Sequence, residues 1–215
     1  MKKYKLVPLV SALLMVSSSI YAATPSKSAD KMAVAVKKPT AEKWTANLDQ
    51  GTGETEFLAL GRPSALKIVG KGAAPKGTII FEAGKATGTA RFSLASLDTG
   101  IGMRNEHMKT KYLEVEKFPE ATLTLTKLEI PAEKLRGDFA PFDVPFEGKL
   151  SLHGVEKPVS GTSKVSLSGA KLTIEANFGL EISDYGIASP GYGGVTMAKE
   201  VKVSIKSSAP FTKTL

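Results

Sequence analysis

Asp98, Arg104 and His107 fall within ten positions of one another, and their types could do chemistry. A histidine beside a carboxylate and a guanidinium can act as a general acid–base group. The same trio can instead be structural, with Arg104 and His107 three apart on a helix, capping it and clamping the loop against Asp98. Catalysis would need a nucleophile, a phosphate-binding loop or a second acid, and none accompanies them. Glu106 falls on a different helix face from its neighbour His107. The other histidine, His153, stands before Gly154 just past a strand and reads as a turn residue. Two His and no Cys in 215 residues leave too few ligands for a metal centre. They also exclude disulfides, a cysteine nucleophile and a lipid-modified cysteine anchor. Gly70-Lys71-Gly72 and Gly191-Tyr192-Gly193-Gly194 lack the spacing and following helix of a phosphate loop. No catalytic residue and no cofactor are therefore expected.

These residues need a scaffold, and the chain supplies one after an N-terminal address. Lys2, Lys3 and Lys5 precede an apolar stretch, Leu6 to Ile20, that closes on Tyr21-Ala22-Ala23. This is the pattern of a secretory signal peptide over 1–22. A membrane anchor is the weaker reading, because the run is short and carries Pro8 and four Ser. Three of the eight net positive charges leave with the peptide, so the mature chain carries about +5. That charge suits a protein near anionic membrane surfaces but is no nucleic-acid signature. No later stretch reaches transmembrane length. Residues 23–43 mix Ser, Thr, Ala, Pro and Lys with little periodicity and read as a flexible leader. The domain is expected over 44–215.

From Trp44 onward the period is mostly two. Nine strand candidates follow: Glu54–Leu60, Ser64–Gly70, Thr78–Glu82, Thr87–Ala95, Ala121–Ile130, Val144–Leu152, Val159–Leu167, Leu172–Ile182 and Val201–Ile205. The phase of Ala121–Ile130 switches at Lys127, which predicts a bulge. Ser168-Gly169-Ala170 and Ala83-Gly84-Lys85 carry hairpin chemistry. The long, strict alternations suit a closed antiparallel barrel of about eight strands, although a sandwich would use the same pattern. Met103, His107, Met108, Lys111 and Tyr112 break it at three- and four-residue spacings and predict one helix, Met103 to Tyr112, long enough to lie across the mouth or base of a barrel. A Gly- and Tyr-rich loop, Ser183 to Ala198, is the second irregular piece.

In a barrel the inward residues would be Phe57, Leu66, Ile68, Phe92, Leu94, Leu123, Phe146, Leu150, Leu152, Phe178, Leu180, Val201 and Val203. They form either a solid core or the wall of a ligand cavity. Gly148 and Ala176 on inward faces point to a cavity, since small residues leave space.

Longer blocks resemble a known family. Ser96-Leu97-Asp98-Thr99-Gly100, Arg104-Asn105-Glu106-His107-Met108, Tyr112-Leu113 and Lys117-Phe118-Pro119-Glu120-Ala121-Thr122 resemble the core signature of the YceI-like family. Phe146 to Val159 resembles its second block, and Phe178 to Ile187, with Asp184-Tyr185-Gly186-Ile187, its third. The likeness runs from about Leu48 to Ile205. It implies a lipocalin-like antiparallel barrel, a secreted and usually periplasmic protein, and a long apolar chain, polyisoprenoid or fatty amide, bound inside. It brings no catalytic residues, and it gives Asp98, Arg104 and His107 an architectural or mouth-forming role. The chain departs from the family at Asn105, where an acidic residue often stands, in its long leader, and in the loop from Ser189 to Gly194.

The leading expectation is a non-catalytic periplasmic carrier of an amphipathic lipid, with no nucleic-acid partner, no membrane span, and a homodimer left open. The alternatives are a stress-related periplasmic protein with a solid core acting through a surface partner, and a lipid-modifying enzyme using Asp98, Arg104 and His107. An outer-membrane barrel is disfavoured, because the outward faces are Lys, Glu, Ser and Thr and aromatic girdles are missing.

Overall fold

The computed structural model describes residues 42–62, 66–192 and 195–214. The expected signal peptide, 1–22, and most of the expected leader lie outside the described residues. The leader's last two residues are within them: Glu42 pairs with Arg136 at 2.8 Å and with Lys213 at 2.7 Å, and Lys43 opens the first strand.

The strands are β1 (Lys43–Asn47), β2 (Thr52–Arg62), β3 (Lys67–Ala73), β4 (Lys76–Glu82), β5 (Lys85–Ser93), β6 (Glu120–Leu128), β7 (Phe139–Leu152), β8 (Val155–Ser168), β9 (Lys171–Glu181), β10 (Gly191–Tyr192) and β11 (Val195–Thr214). Pairing runs β1-β4-β5-β6-β7-β8-β9-β11 and returns to β1, which closes an eight-stranded antiparallel barrel. The sandwich alternative falls with that closure. The last residues of β11 pair with β1, while its earlier length pairs with β2. The β2–β3 hairpin thus extends the wall on one side. It meets the segment after β5 through a two-hydrogen-bond bridge, Lys71 N–H to Asp98 O at 2.8 Å and Asp98 N–H to Lys71 O at 2.7 Å.

Turn chemistry follows the sequence. Ala83-Gly84, His153-Gly154 and Gly169-Ala170 all have positive φ at both residues, as tight two-residue hairpin turns require. The bulge expected at Lys127 is present as a register shift between Leu125 and Lys127. β7, β8 and β11 run longer than expected, from Phe139, from Val155 and on to Thr214, and two strands end early in a helical turn. Leu94 leaves the strand in a single 3-10 turn, Leu94–Ser96, and Ile182 opens another, Ile182–Tyr185. β1 is the main strand that alternation alone does not reveal. It has five residues and only Trp44 and Ala46 face the interior side, with Trp44 stacked on Phe211 at 5.3 Å.

The end of the barrel holding β1, here the lower end, is packed. Phe81 meets Phe211 edge-on at 5.5 Å, and Ile130, Leu135, Val165 and Leu172 are buried around them. At the upper end the chain between β5 and β6 forms a helix, α1 (Gly102–His107), and then one wider π-helical turn, Met108–Tyr112. The expected single helix is therefore two pieces, with Leu113 N–H reaching Met108 O at 2.9 Å.

Candidate functional site

The upper half of the barrel is hollow. A cavity of about 730 Å³ opens under α1 and the turn that follows it. That size lies in the usual range for ligand sites. Eleven of the thirteen inward residues named from the sequence line it: Phe57, Leu66 and Ile68 from the β2–β3 hairpin, Phe92 and Leu94 at the end of β5, Leu150 and Leu152 from β7, Phe178 and Leu180 from β9, and Val201 and Val203 from β11. Phe57 reaches the interior by lying across its cross-strand partner Gly70, where a Cβ would come within 2.2 Å of the ring.

Leu123 and Phe146 are corrections. Both line a separate pocket of about 60 Å³ lower in the barrel. Leu123 folds over Gly148, so that a Cβ on Gly148 would stand 3.0 Å from Leu123 Cδ1 and 2.8 Å from Thr124 O. The space expected from Gly148 is thus filled by its neighbour, and Gly148 lines neither cavity. Ala176 borders the lower pocket only.

Residues of the helical segment, absent from the inward faces of the strands, complete the wall. Ile101, Met103, Met108 and Tyr112 line the mouth, with Ile182, Ile187 and Met197 from the loop around β10 opposite. Met103 is 71% exposed, so it marks the outer lip. The spacing of Met103, Met108 and Tyr112 was the signal that could have placed them there. Among the described residues, the ionisable side chains on the lining are Arg104, His107, Lys111 and Tyr112, with no Asp or Glu. The mouth is therefore cationic over an apolar interior.

Arg104 and His107 sit on this mouth, but Asp98 does not line it. The expected clamp between Arg104 and Asp98 is replaced by another arrangement. Arg104 donates from Nε to Thr99 Oγ1 at 2.8 Å and from a terminal nitrogen to Thr99 O at 2.6 Å. Asp98 Oδ1 accepts from Gly100 N–H at 2.7 Å and from Asn105 Nδ2 at 2.6 Å. Asn105 Oδ1 in turn accepts from Thr99 N–H and Thr99 Oγ1. The reason is reach: the loop turns at Gly100 and presents Thr99, not Asp98, to the guanidinium. The Gly100 amide, and after it Asn105, hold the Asp98 carboxyl below its usual range. His107 makes no side-chain hydrogen bond among the described residues, so the three do not form a relay.

The far end of the helical segment is anchored separately. Glu114, at φ 44°, bonds Lys117 and accepts from His153 Nε2 at 3.0 Å, while His153 Nδ1 lies 3.1 Å from Tyr185 O. Lys117, and then His153, hold the Glu114 carboxyl below its usual range. Phe118 packs on the His153 ring at 4.6 Å. His153 is thus a turn residue, as expected, and also ties the β7–β8 turn to the segment above it.

A family model described as YceI-like domain matches residues 25–209. The chain belongs to the YceI-like family. Among curated relatives, a UPF0312 protein of Pseudomonas putida strain W619 is 32% identical over 116 residues, covering 51% of this chain and 56% of the relative. The chain spans about half the length of the curated relatives it matches. Among solved structures, Burkholderia cenocepacia BcnA superposes with a TM-score of 0.59 at 19% identity, covering 76% of this chain and 99% of BcnA. A domain of Saccharophagus degradans described as polyisoprenoid binding superposes with a TM-score of 0.59 at 18% identity, covering 78% of this chain and 97% of that one. At these identities the likeness is one of fold. In this YceI-like barrel, the family blocks from Ser96 to Met108 build the lip and mouth of the cavity, and Phe146 to Val159 its wall and the His153 turn. Asn105 is the residue that joins Thr99 to Asp98.

Proposed function

We propose that this YceI-like barrel is a non-catalytic periplasmic carrier that holds the tail of a long-chain amphipathic lipid, polyisoprenoid or fatty amide, inside its upper half. The observation that carries the reading is the apolar cavity of about 730 Å³ with a cationic mouth. Each tail methylene moved from water into such a wall contributes about 0.8 kcal/mol, so ten supply up to about 8 kcal/mol, the scale of a micromolar complex before ordering costs. Arg104 and Lys111 offer N–H donors at the mouth and suit a head group with acceptor oxygens. The Saccharophagus degradans domain described as polyisoprenoid binding supports the same reading. The Asp98 carboxylate is engaged by Gly100 and Asn105, which favours a carrier over an enzyme built on Asp98, Arg104 and His107. Val203→Trp tests the proposal by filling the cavity. The folded variant, checked by circular dichroism, is expected to lose at least tenfold in affinity for a fluorescent polyprenyl analogue. Unchanged affinity would place the ligand elsewhere.

A further inference from the structure

The large cavity and the small pocket beneath it share two wall residues, Phe92 and Ile205. Both are buried, at 6% and 5% exposure. Phe92 comes from β5 and Ile205 from β11, which lie three strands apart one way round the barrel and five the other. They therefore reach inward from nearly opposite walls. Beside them Phe178 faces the upper cavity and Phe146 the lower pocket, with the rings edge-on at 6.0 Å. That pair is fixed by Gly161, where a Cβ would stand 2.9 Å from Phe146 Cε1 and from Phe178 Cβ.

Below this floor large apolar side chains such as Leu125 and Ile174 alternate with small residues, among them Gly88, Ala90, Ala176 and Ser207. Side chains normally fill an eight-stranded barrel at such a level. Here they leave about 60 Å³ open, and the buried Ser207 hydroxyl finds no partner among the described residues. The lower space is walled mainly by apolar side chains, as the upper cavity is, and Phe92 and Ile205 border both.

We propose that Phe92 and Ile205 form a septum that sets the longest tail the upper cavity accepts, and that the lower pocket is an extension subsite for the end of a longer apolar tail. This rests on the lipid-carrier reading above. The septum limits depth, while the Phe146–Phe178 pair beside it stays fixed by the close fit at Gly161.

A series of straight-chain alcohols from decanol to tetracosanol, displacing a fluorescent fatty probe, tests it. In the native protein, affinity should rise about fourfold per added methylene and then level off. Phe92→Ala and Ile205→Ala should each move the break to longer chains, and the double variant further. Leu66→Ala, at the rim, should weaken every alcohol without moving the break. Phe92→Leu and Ile205→Val, which keep the floor packed more closely, should give smaller shifts in the same direction if the alanine variants fail to fold. An unchanged break in folded septum variants that still bind would overturn the septum and leave the carrier reading standing. Failure of every alcohol to bind the native protein would overturn both.

Discussion

At the residue scale the lip of the cavity depends on an amide that works as donor and acceptor together. Asn105 takes two hydrogen bonds from Thr99 and gives one to Asp98. An aspartate there could accept but not donate, and would set a second carboxylate against Asp98. Asn105→Ala, which removes the acceptor of the Thr99 amide, should speed hydrogen exchange there by about tenfold, the equivalent of one lost hydrogen bond. Unchanged exchange there would mean that Arg104 alone holds the loop. The sequence draws attention to Asp98, Arg104 and His107 as a cluster, and two of the three do reach the mouth. Which of them touch is not legible, because it depends on how the chain turns at Gly100. Acid should act on the same anchors. Asp98 and Glu114 are both held below the usual carboxylate range in the fold. A depressed folded pKa gives stability that is present above the unfolded value and lost as pH falls through the folded one. Protection of the lip and of the 102–118 segment should stay level from pH 6 to 5 and fall only below about pH 4. Loosening that begins above pH 5 would contradict these contacts.

At the element scale, the strands with strict alternation are the ones legible beforehand, because each has one wet and one buried face. β5 and β9 fall close to the spans that periodicity gives, while β7 starts earlier, at Phe139, and β11 extends well beyond Val201–Ile205 on both sides. β1 escapes it, since its role is to close the ring between β4 and β11 rather than to present a long apolar face. The corrections at Leu123 and Phe146 have a related cause. Alternation tells which face a residue takes but not how high in the barrel its side chain points. Gly161 shows how closely β8 is fitted: a Cβ there would meet Asn177 O at 2.1 Å. Gly161→Ala should lower stability by about 1–3 kcal/mol through overpacking, read from chemical denaturation. A neutral result would mean that β8 and β9 are free to part at that point.

At the scale of the whole molecule, the barrel has a packed end and a hollow end, and the proposed carrier site is in the hollow one. The single tryptophan, Trp44, belongs to the packed end and lines neither cavity. Its emission should follow global unfolding and stay unchanged when the upper cavity fills. A shift of the emission maximum on ligand addition would require that the ligand, or a rearrangement it causes, reaches the closure at β1. The cavity itself was only half legible. The list of inward residues was largely that of its wall, yet hollow and solid interiors share one alternation, and volume emerges only when side chains are placed.

The central claim, that the hollow half carries a lipid, is tested most directly by native mass spectrometry of the protein purified from a bacterial periplasm, with solvent extraction of what it holds. The account predicts a stoichiometric apolar adduct that Val203→Trp lacks. A clean apo mass, unchanged after incubation with polyprenyl and fatty-amide lipids, would contradict it.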